Sequence, residues 1–218
     1  MNSVSGVGVI DKSALILQVL RTGAHDLAEL QAAADLPRAT AHRLVVALEK
    51  HHLVRRDILG RFVLGFELVA LGRAASGQFA LGELAAPVLR RLRDESGESV
   101  QLYVREGDER RCVASLQSPH GLRWIVAEGS LLPLQRGSAG HALTSPDDVG
   151  SWVDSVEERE PGVASVSAAV VDRDSAIVGA VSVSGPVERL TRHPGARFGA
   201  QVVDAADDIS QLFTATTR

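Results

Sequence analysis

The sequence predicts an α+β chain in two parts: a small helical unit closed by a β-hairpin, then a larger sheet covered by helices. Three observations carry this. Helix-start signals and helical spacing fill residues 13–50. Two short runs around a Gly-containing turn follow at 53–64. From Ser99 onward, apolar runs separated by polar turns replace the helical pattern, until an amphipathic stretch ends the chain.

The 218 residues suffice for two domains, each with its own core. A composition 45% hydrophobic and 23% charged is that of an ordinary soluble globular chain. No run of eighteen apolar residues exists to span a membrane, and Met1 to Asp11 lacks the basic and apolar regions of a signal peptide. The single cysteine, Cys112, is expected as a buried strand residue, and one thiol fits a reducing, cytoplasmic setting.

The net charge of −4 is unevenly spread. Residues 1–77 hold nine Lys/Arg against seven Asp/Glu, and residues 78–218 hold fourteen against twenty. Between Leu36 and Leu64, Arg38, Arg43, Lys50, Arg55, Arg56 and Arg61 face only Glu49 and Asp57. An acidic protein with one short basic segment suggests a nucleic-acid contact there, although a solvated helix face would have the same charge.

Pattern decides between them. Asp11 precedes an apolar helical run, Ser13 to Leu20, stopped by Thr22-Gly23. Asp26 and Glu29 have capping-box spacing, so a second short helix should start at Leu27 and run to about Ala34. Pro37 suits the first position of a third helix continuing through Lys50. At 100° per residue, Ala41, Leu44, Val45 and Leu48 share the inner face of that helix. Ala39, Arg43, Val46 and Lys50 lie opposite, flanked by Thr40 and His42, and Glu49 is their only acid. Leu53 to Arg56 and Arg61 to Leu64 then form a hairpin across Asp57-Ile58-Leu59-Gly60. A short helix, a tight turn, a basic helix and a basic hairpin together predict a winged helix-turn-helix. Arg43, Ala39, His42 and Val46 would enter the groove, Arg by bidentate donation to guanine and methyl groups against thymine. Arg38 and Thr40 would meet phosphates at the helix start, and Arg55, Arg56 and Arg61 would meet them from the hairpin.

Phe66 to Ala75 reads as a linking helix, Ser76-Gly77-Gln78 as a hinge, and Leu81 to Glu95 as a helix stopped by Ser96-Gly97. Strands are expected at Ser99–Arg105, Arg111–Gln117, Leu122–Ala127, Leu131–Leu134, Val163–Val171 and Ile177–Val183, and a helix from Gly195 to Phe213. Domain bounds follow: 1–65 for the winged helix, 66–80 for the linker and 81–218 for the second domain. Catalytic chemistry is not expected. Ser138 and His141 stand one helical turn apart without a nucleophile elbow, the seven histidines lack metal spacing, and Gly137–Gly140 lacks a phosphate-loop lysine. No cofactor is implied. Ser182 and Ser184 alternate along one strand and share a face, either as satisfied structural serines or as the polar floor of a ligand site. Ser165 and Ser138 would converge with them, Leu122, Trp124 and Val163 would supply apolar walls, and the helix start near Ser138 would suit a carboxylate.

Ser13 to Leu64 resembles the IclR family of bacterial regulators, with Leu36-Pro37-Arg38-Ala39-Thr40-Ala41-His42-Arg43-Leu44 at its centre and Gly60-Arg61-Phe62-Val63-Leu64-Gly65 closing the wing. The resemblance resumes at Gly162–Ala168 and Val181–Pro186, similar to the two signature strands of that family's effector domain, and at Gly137–Leu143, its pocket-lining turn and helix. The resemblance therefore implies a GAF-like second domain. It also implies effector contacts at Ala139 and at Ser155, which stands where the family often has aspartate, while Ser165 replaces a frequent cysteine. The stretch Thr144 to Glu157 is shorter than is usual in the family. Ser5–Lys12, Arg159–Gly162 and Glu188–Gly195 resemble more narrowly the actinobacterial NdgR/LtbR subgroup, associated with leucine and other amino-acid biosynthesis genes. The partners so implied are operator DNA, a small-metabolite effector and a second copy, as a dimer or dimer of dimers. A competing reading is a sensor-domain enzyme, or a protein-interaction module, whose winged helix does not bind DNA. Steep salt dependence of duplex binding would separate the two.

Overall fold

The computed structural model describes residues 7–78 and 80–216, with side chains at 7–75 and 81–216. The chain divides into two compact units between Gln78 and Phe79.

In the first unit, α1 (Gly8–Leu20), α2 (Leu27–Ala34) and α3 (Arg38–Lys50) precede strands β1 (Val54–Arg56) and β2 (Phe62–Leu64) and helix α4 (Glu67–Gln78). Helix α1 starts five residues before the expected Ser13, so Asp11 lies in its first turn near the positive helix end and does not cap it. Ser5 and Gly6, part of the narrower resemblance, lie outside the described residues. The capping box at α2 forms as expected: the Asp26 carboxylate accepts from the Ala28 and Glu29 amides, and Glu29 accepts from the Asp26 amide at 2.8 Å. Pro37 takes the N-cap and not the first helical position, its carbonyl accepting from Thr40 and Ala41. Ile16, Leu30, Ala41, Val45, Val54 and Phe62 form the sealed core, so the predicted inner face of α3 is the buried one. The wing turn is held by the Asp57 carboxylate, which accepts from the Leu59 and Arg61 amides. A Cβ on Gly65 would lie 1.9 Å from the His52 carbonyl oxygen, so only glycine lets the chain leave the wing there. Helix α4 carries its backbone turns through Ser76, Gly77 and Gln78, where sequence predicted a break.

The second unit is a six-stranded antiparallel sheet in the order β5-β4-β3-β8-β7-β6. Its strands are β3 (Ser99–Glu106), β4 (Glu109–Leu116), β5 (Leu131–Pro133), β6 (Val153–Val156), β7 (Val163–Val171) and β8 (Ile177–Pro186). Helices α5 (Ala80–Ser96) and α8 (Pro194–Thr216) cover one face, burying Leu89, Leu92, Val100, Leu102, Val166, Val183, Val202 and Ile209. Short helix α6 (Ser138–Thr144) covers the other with Tyr103, Cys112, Leu134, Ala142 and Leu143. A four-residue helix, α7 (Val187–Leu190), leads from β8 towards α8.

Two expectations fail here. Leu122–Ala127 is not a strand: the Arg123 guanidinium donates to the His120 and Gly121 carbonyls, and Ser99 Oγ holds the Trp124 carbonyl at 2.6 Å, so local bonds replace a ladder. Strand β6 was not anticipated. Its four residues carry Asp154 and Ser155 among apolar neighbours, too short for a visible alternation.

Candidate functional site

The α3 surface and the wing form a basic face. Arg38, Ala39, His42 and Arg43 are exposed, Thr40 and Val46 half-buried, and the first turn of α3 holds no acid. Arg56 lies 4.3 Å from the Phe62 ring centroid and pairs with Glu49 at 3.1 Å, and Arg61 pairs with Asp57 at 2.8 Å. Arg55 stacks on Phe66 at 4.8 Å. The two acids of the basic segment are thus spent on Arg56 and Arg61, which pre-shapes the wing. Arg38, Arg43 and Lys50 have no carboxylate partner among the described residues. Such a face suits a duplex: cations point out from the N-terminal half of a helix, beside a rigid basic hairpin.

The other site lies between the sheet and α6. Because cross-strand partners share a face, register alone builds it. Ser99, Ser184, Ser165 and Ser155 stand in one row across β3, β8, β7 and β6. Gln101, Ser182 and Ser167 stand in the next. From α6, Ser138 Oγ donates to Ser165 Oγ at 2.7 Å and shares a 2.7 Å bond with Ser167 Oγ, while Ser184 Oγ donates to Gln101 Oε1 at 2.7 Å. Ser138 therefore spends its hydroxyl on serines, and His141 Nε2 faces Glu158 at 2.9 Å, so the two form no nucleophile–base pair.

A small cavity of about 30 Å³ opens in this polar floor, enough for about two waters. Trp124, Ser138, Ala139, Ser155, Val163, Ser165, Ser182 and Ser184 all line it, as expected of them from sequence. Leu122 does not: it is 71% exposed, because the expected strand that would have turned it inward is irregular. Sequence reasoning missed Tyr103, Arg110, Arg159 and Glu160 in the lining. Arg110 stands two residues before the buried Cys112 on β4 and so shares its face, but its charged neighbours Glu109 and Arg111 hide that placement in the sequence. Cys112 is buried on β4, where loss of solvation pushes its thiol up to about 12 and leaves it unreactive.

The helix start that sequence assigned to a carboxylate already holds one. Glu158, in the β6–β7 loop, accepts from the Gly137 amide at 2.8 Å and from His141. Burial raises the Glu158 pKa, but the bonds from His141, Gly137 and Ser155 outweigh it and the net direction is down. A carboxylate depressed on folding contributes stability at neutral pH that is lost as pH falls through its lowered pKa. Glu158→Gln should therefore narrow the stability gap between pH 7 and pH 3.5, read as urea midpoints; an unchanged gap would remove the latch from the loop's energetics.

A winged helix with a basic exposed face, joined to a domain with an internal polar cavity, is the arrangement of a ligand-responsive transcriptional regulator, and the family comparison agrees. Residues 9–57 match the IclR helix-turn-helix domain, and residues 74–152 and 150–211 match the bacterial transcriptional regulator IclR C-terminal domain. The chain belongs to the IclR family, whose members are transcriptional regulators and not enzymes. It is 28% identical to the HTH-type transcriptional repressor AllR of Escherichia coli K12, over 94% of this chain and 90% of that one. The fold is shared with an IclR homolog from Microbacterium hydrocarbonoxydans complexed with 4-hydroxybenzoate, at 19% identity and TM-score 0.80 over 95% of this chain and all of that one. Thermotoga maritima IclR is similar at 18% identity and TM-score 0.76, covering 94% of this chain and 98% of that one. No described helix is long and apolar enough to cross a membrane.

Proposed function

We propose that the chain represses its target genes by seating α3 in the major groove of an operator and releases it when a small metabolite enters the α6 cavity. The exposed face of α3, with no acid in its first turn, carries the DNA half of this reading. Arg43, Ala39, His42 and Val46 read base edges, Arg38 and Thr40 hold phosphates, and Arg55, Arg56 and Arg61 hold them from the wing. The sign rests on the relatives named repressors. Two copies act together, since Val9 and Ile10 expose 59% and 58% of their surface on α1, an apolar edge suited to a second chain. The domain bounds are 1–65, 66–80 and 81–218. The regulated genes are those of amino-acid biosynthesis, leucine and its branched-chain relatives first, a reading supported by the motifs at Arg159–Gly162 and Glu188–Gly195. Ser138, Ala139, Ser155, Ser165, Ser182 and Ser184 form the effector floor under Trp124 and Val163.

The test uses an operator selected from random duplexes. Arg43→Ala should cost roughly 1–3 kcal/mol on the selected site and much less on random DNA. Arg56→Ala and Arg61→Ala should weaken both alike and flatten the salt dependence by about 0.9 each. Equal loss on both duplexes for Arg43→Ala would remove it from base reading, and an unchanged salt slope would remove the wing from the interface.

A further inference from the structure

The tip of the wing has a composition that phosphate contact does not explain. Strands β1 and β2 turn through Asp57-Ile58-Leu59-Gly60, closed by the Gly60 amide donating to the Asp57 carbonyl at 3.0 Å, with Gly60 at φ +79°. Turn apices favour Gly, Pro, Asn, Asp and Ser, and β-branched residues favour strands. Here the apex holds two aliphatic side chains. Ile58 is 98% exposed, the most exposed large apolar residue among those described, and Leu59 is 73% exposed. The core of the first unit takes Val54 and Phe62 from the hairpin and neither apex residue.

The turn that displays them is clamped. Asp57 Oδ1 accepts from the Leu59 and Arg61 amides at 2.9 Å, and Oδ2 accepts from Arg61 Nε at 2.9 Å. The only acid of the turn is thereby drawn inward, with 17% of its side chain exposed. At the foot of the turn, Arg56 is fixed by Glu49 and the Phe62 ring, yet Arg56 and Arg61 keep 46% and 44% of their side chains exposed. The wing thus presents two fixed cations and, beyond them, an apolar wedge.

We propose that Ile58 and Leu59 enter a minor groove of the operator and press a base step open, so that the wing selects sites by their deformability. This rests on the reading of α3 and the wing as the DNA-binding face. Aliphatic side chains gain nothing from phosphate oxygens, but sugar carbons and base-pair edges inside a groove can cover them. The flanking cations match the phosphates on either rim, which favours DNA over a protein surface as the occupant. Size decides how the tip enters. The strands of a hairpin stand about 4.8 Å apart before side chains are counted, and the minor groove is about 6 Å wide. The tip therefore fits only where the groove widens, and apolar wedges achieve this by unstacking a step and kinking the duplex by roughly 20–90°. Pyrimidine–purine steps yield easily and A-tracts resist, so TA or CA under the wing is favoured over AA although no side chain of the apex can hydrogen-bond to a base.

The full-length protein is titrated by fluorescence anisotropy against an operator selected from random duplexes, after hydroxyl-radical protection has marked the step under the wing. That step is then set to TA, CA or AA. Wild type should bind the TA and CA duplexes fivefold or more tightly than the AA duplex and bend them more, read by energy transfer between the duplex ends. Ile58→Ser with Leu59→Ser should weaken the TA duplex by tenfold or more and erase the step preference. The salt slope should stay as in wild type, because every cation remains. Ile58→Leu with Leu59→Ile should keep the preference. A preference absent from wild type, or retained by the serine pair, overturns the wedge and leaves the operator-binding face standing. Wild type that binds no duplex in a salt-dependent way overturns both. A serine pair that changes only the sedimentation of the protein, with DNA binding intact, assigns the tip to a protein contact and refutes the proposal.

Discussion

Replacing Gly140 by alanine should destabilise the second unit by about 2 to 3 kcal/mol, although helix propensity alone favours alanine there by about 1 kcal/mol. The added Cβ would stand 2.0 Å from the Leu134 carbonyl oxygen and 2.6 Å from Arg110 Nη1. The first of these is backbone, in the connection that carries β5 into α6, and it cannot move without shifting the helix. The second would expel the guanidinium from the carbonyls that hold it. Gly137, at φ +83°, adds a backbone conformation that L-residues avoid, so the turn tolerates a side chain at neither glycine. The measurement is the urea midpoint of the full chain, with the slope unchanged from wild type. A midpoint equal to or above wild type would show that α6 does not pack as close to Leu134 as described.

Arg189→Ala should cost about 3 kcal/mol, at the lower end for a broken buried pair because Arg189 keeps 28% of its side chain exposed. Its partner is the greater concern. Glu98 is only 4% exposed at the side chain and is held bidentately, Nε to Oε1 at 2.5 Å and Nη2 to Oε2 at 2.8 Å. The carboxylate sits over Gly185, where a Cβ would lie 2.5 Å from Oε2, and truncating Arg189 leaves it buried without a counter-charge. Glu98→Gln combined with Arg189→Ala removes the orphaned charge, so the double variant should be less destabilised than the sum of the two singles. Strict additivity would mean that the pair is solvent-screened and contributes little.

Several features were legible in residues alone because their causes are local. The Asp26–Glu29 capping box and the four inward positions of α3 are set within one or two helical turns. The facing of Ser182 and Ser184 follows from the two-residue period of a strand, which needs no partner. The neighbouring strand and a helix start added Ser165 and Ser138, and family resemblance added Ala139 and Ser155, all of which line the cavity.

Other features depended on where distant segments meet. Whether 122–127 pairs with a neighbour depends on Ser99, 25 residues away from Trp124, whose hydroxyl holds the Trp124 carbonyl in place of a ladder bond. The role of the α6 start depends on Glu158, which lies 21 residues beyond Gly137 and accepts its amide. Arg110 reads as one more surface cation in a charged hairpin until β5 and α6 close over it and remove its solvent. Sequence determines which face a side chain takes on its own element, because backbone geometry repeats over a few residues. Tertiary structure decides what stands against that face, and hence whether a buried cation or donor is paired there.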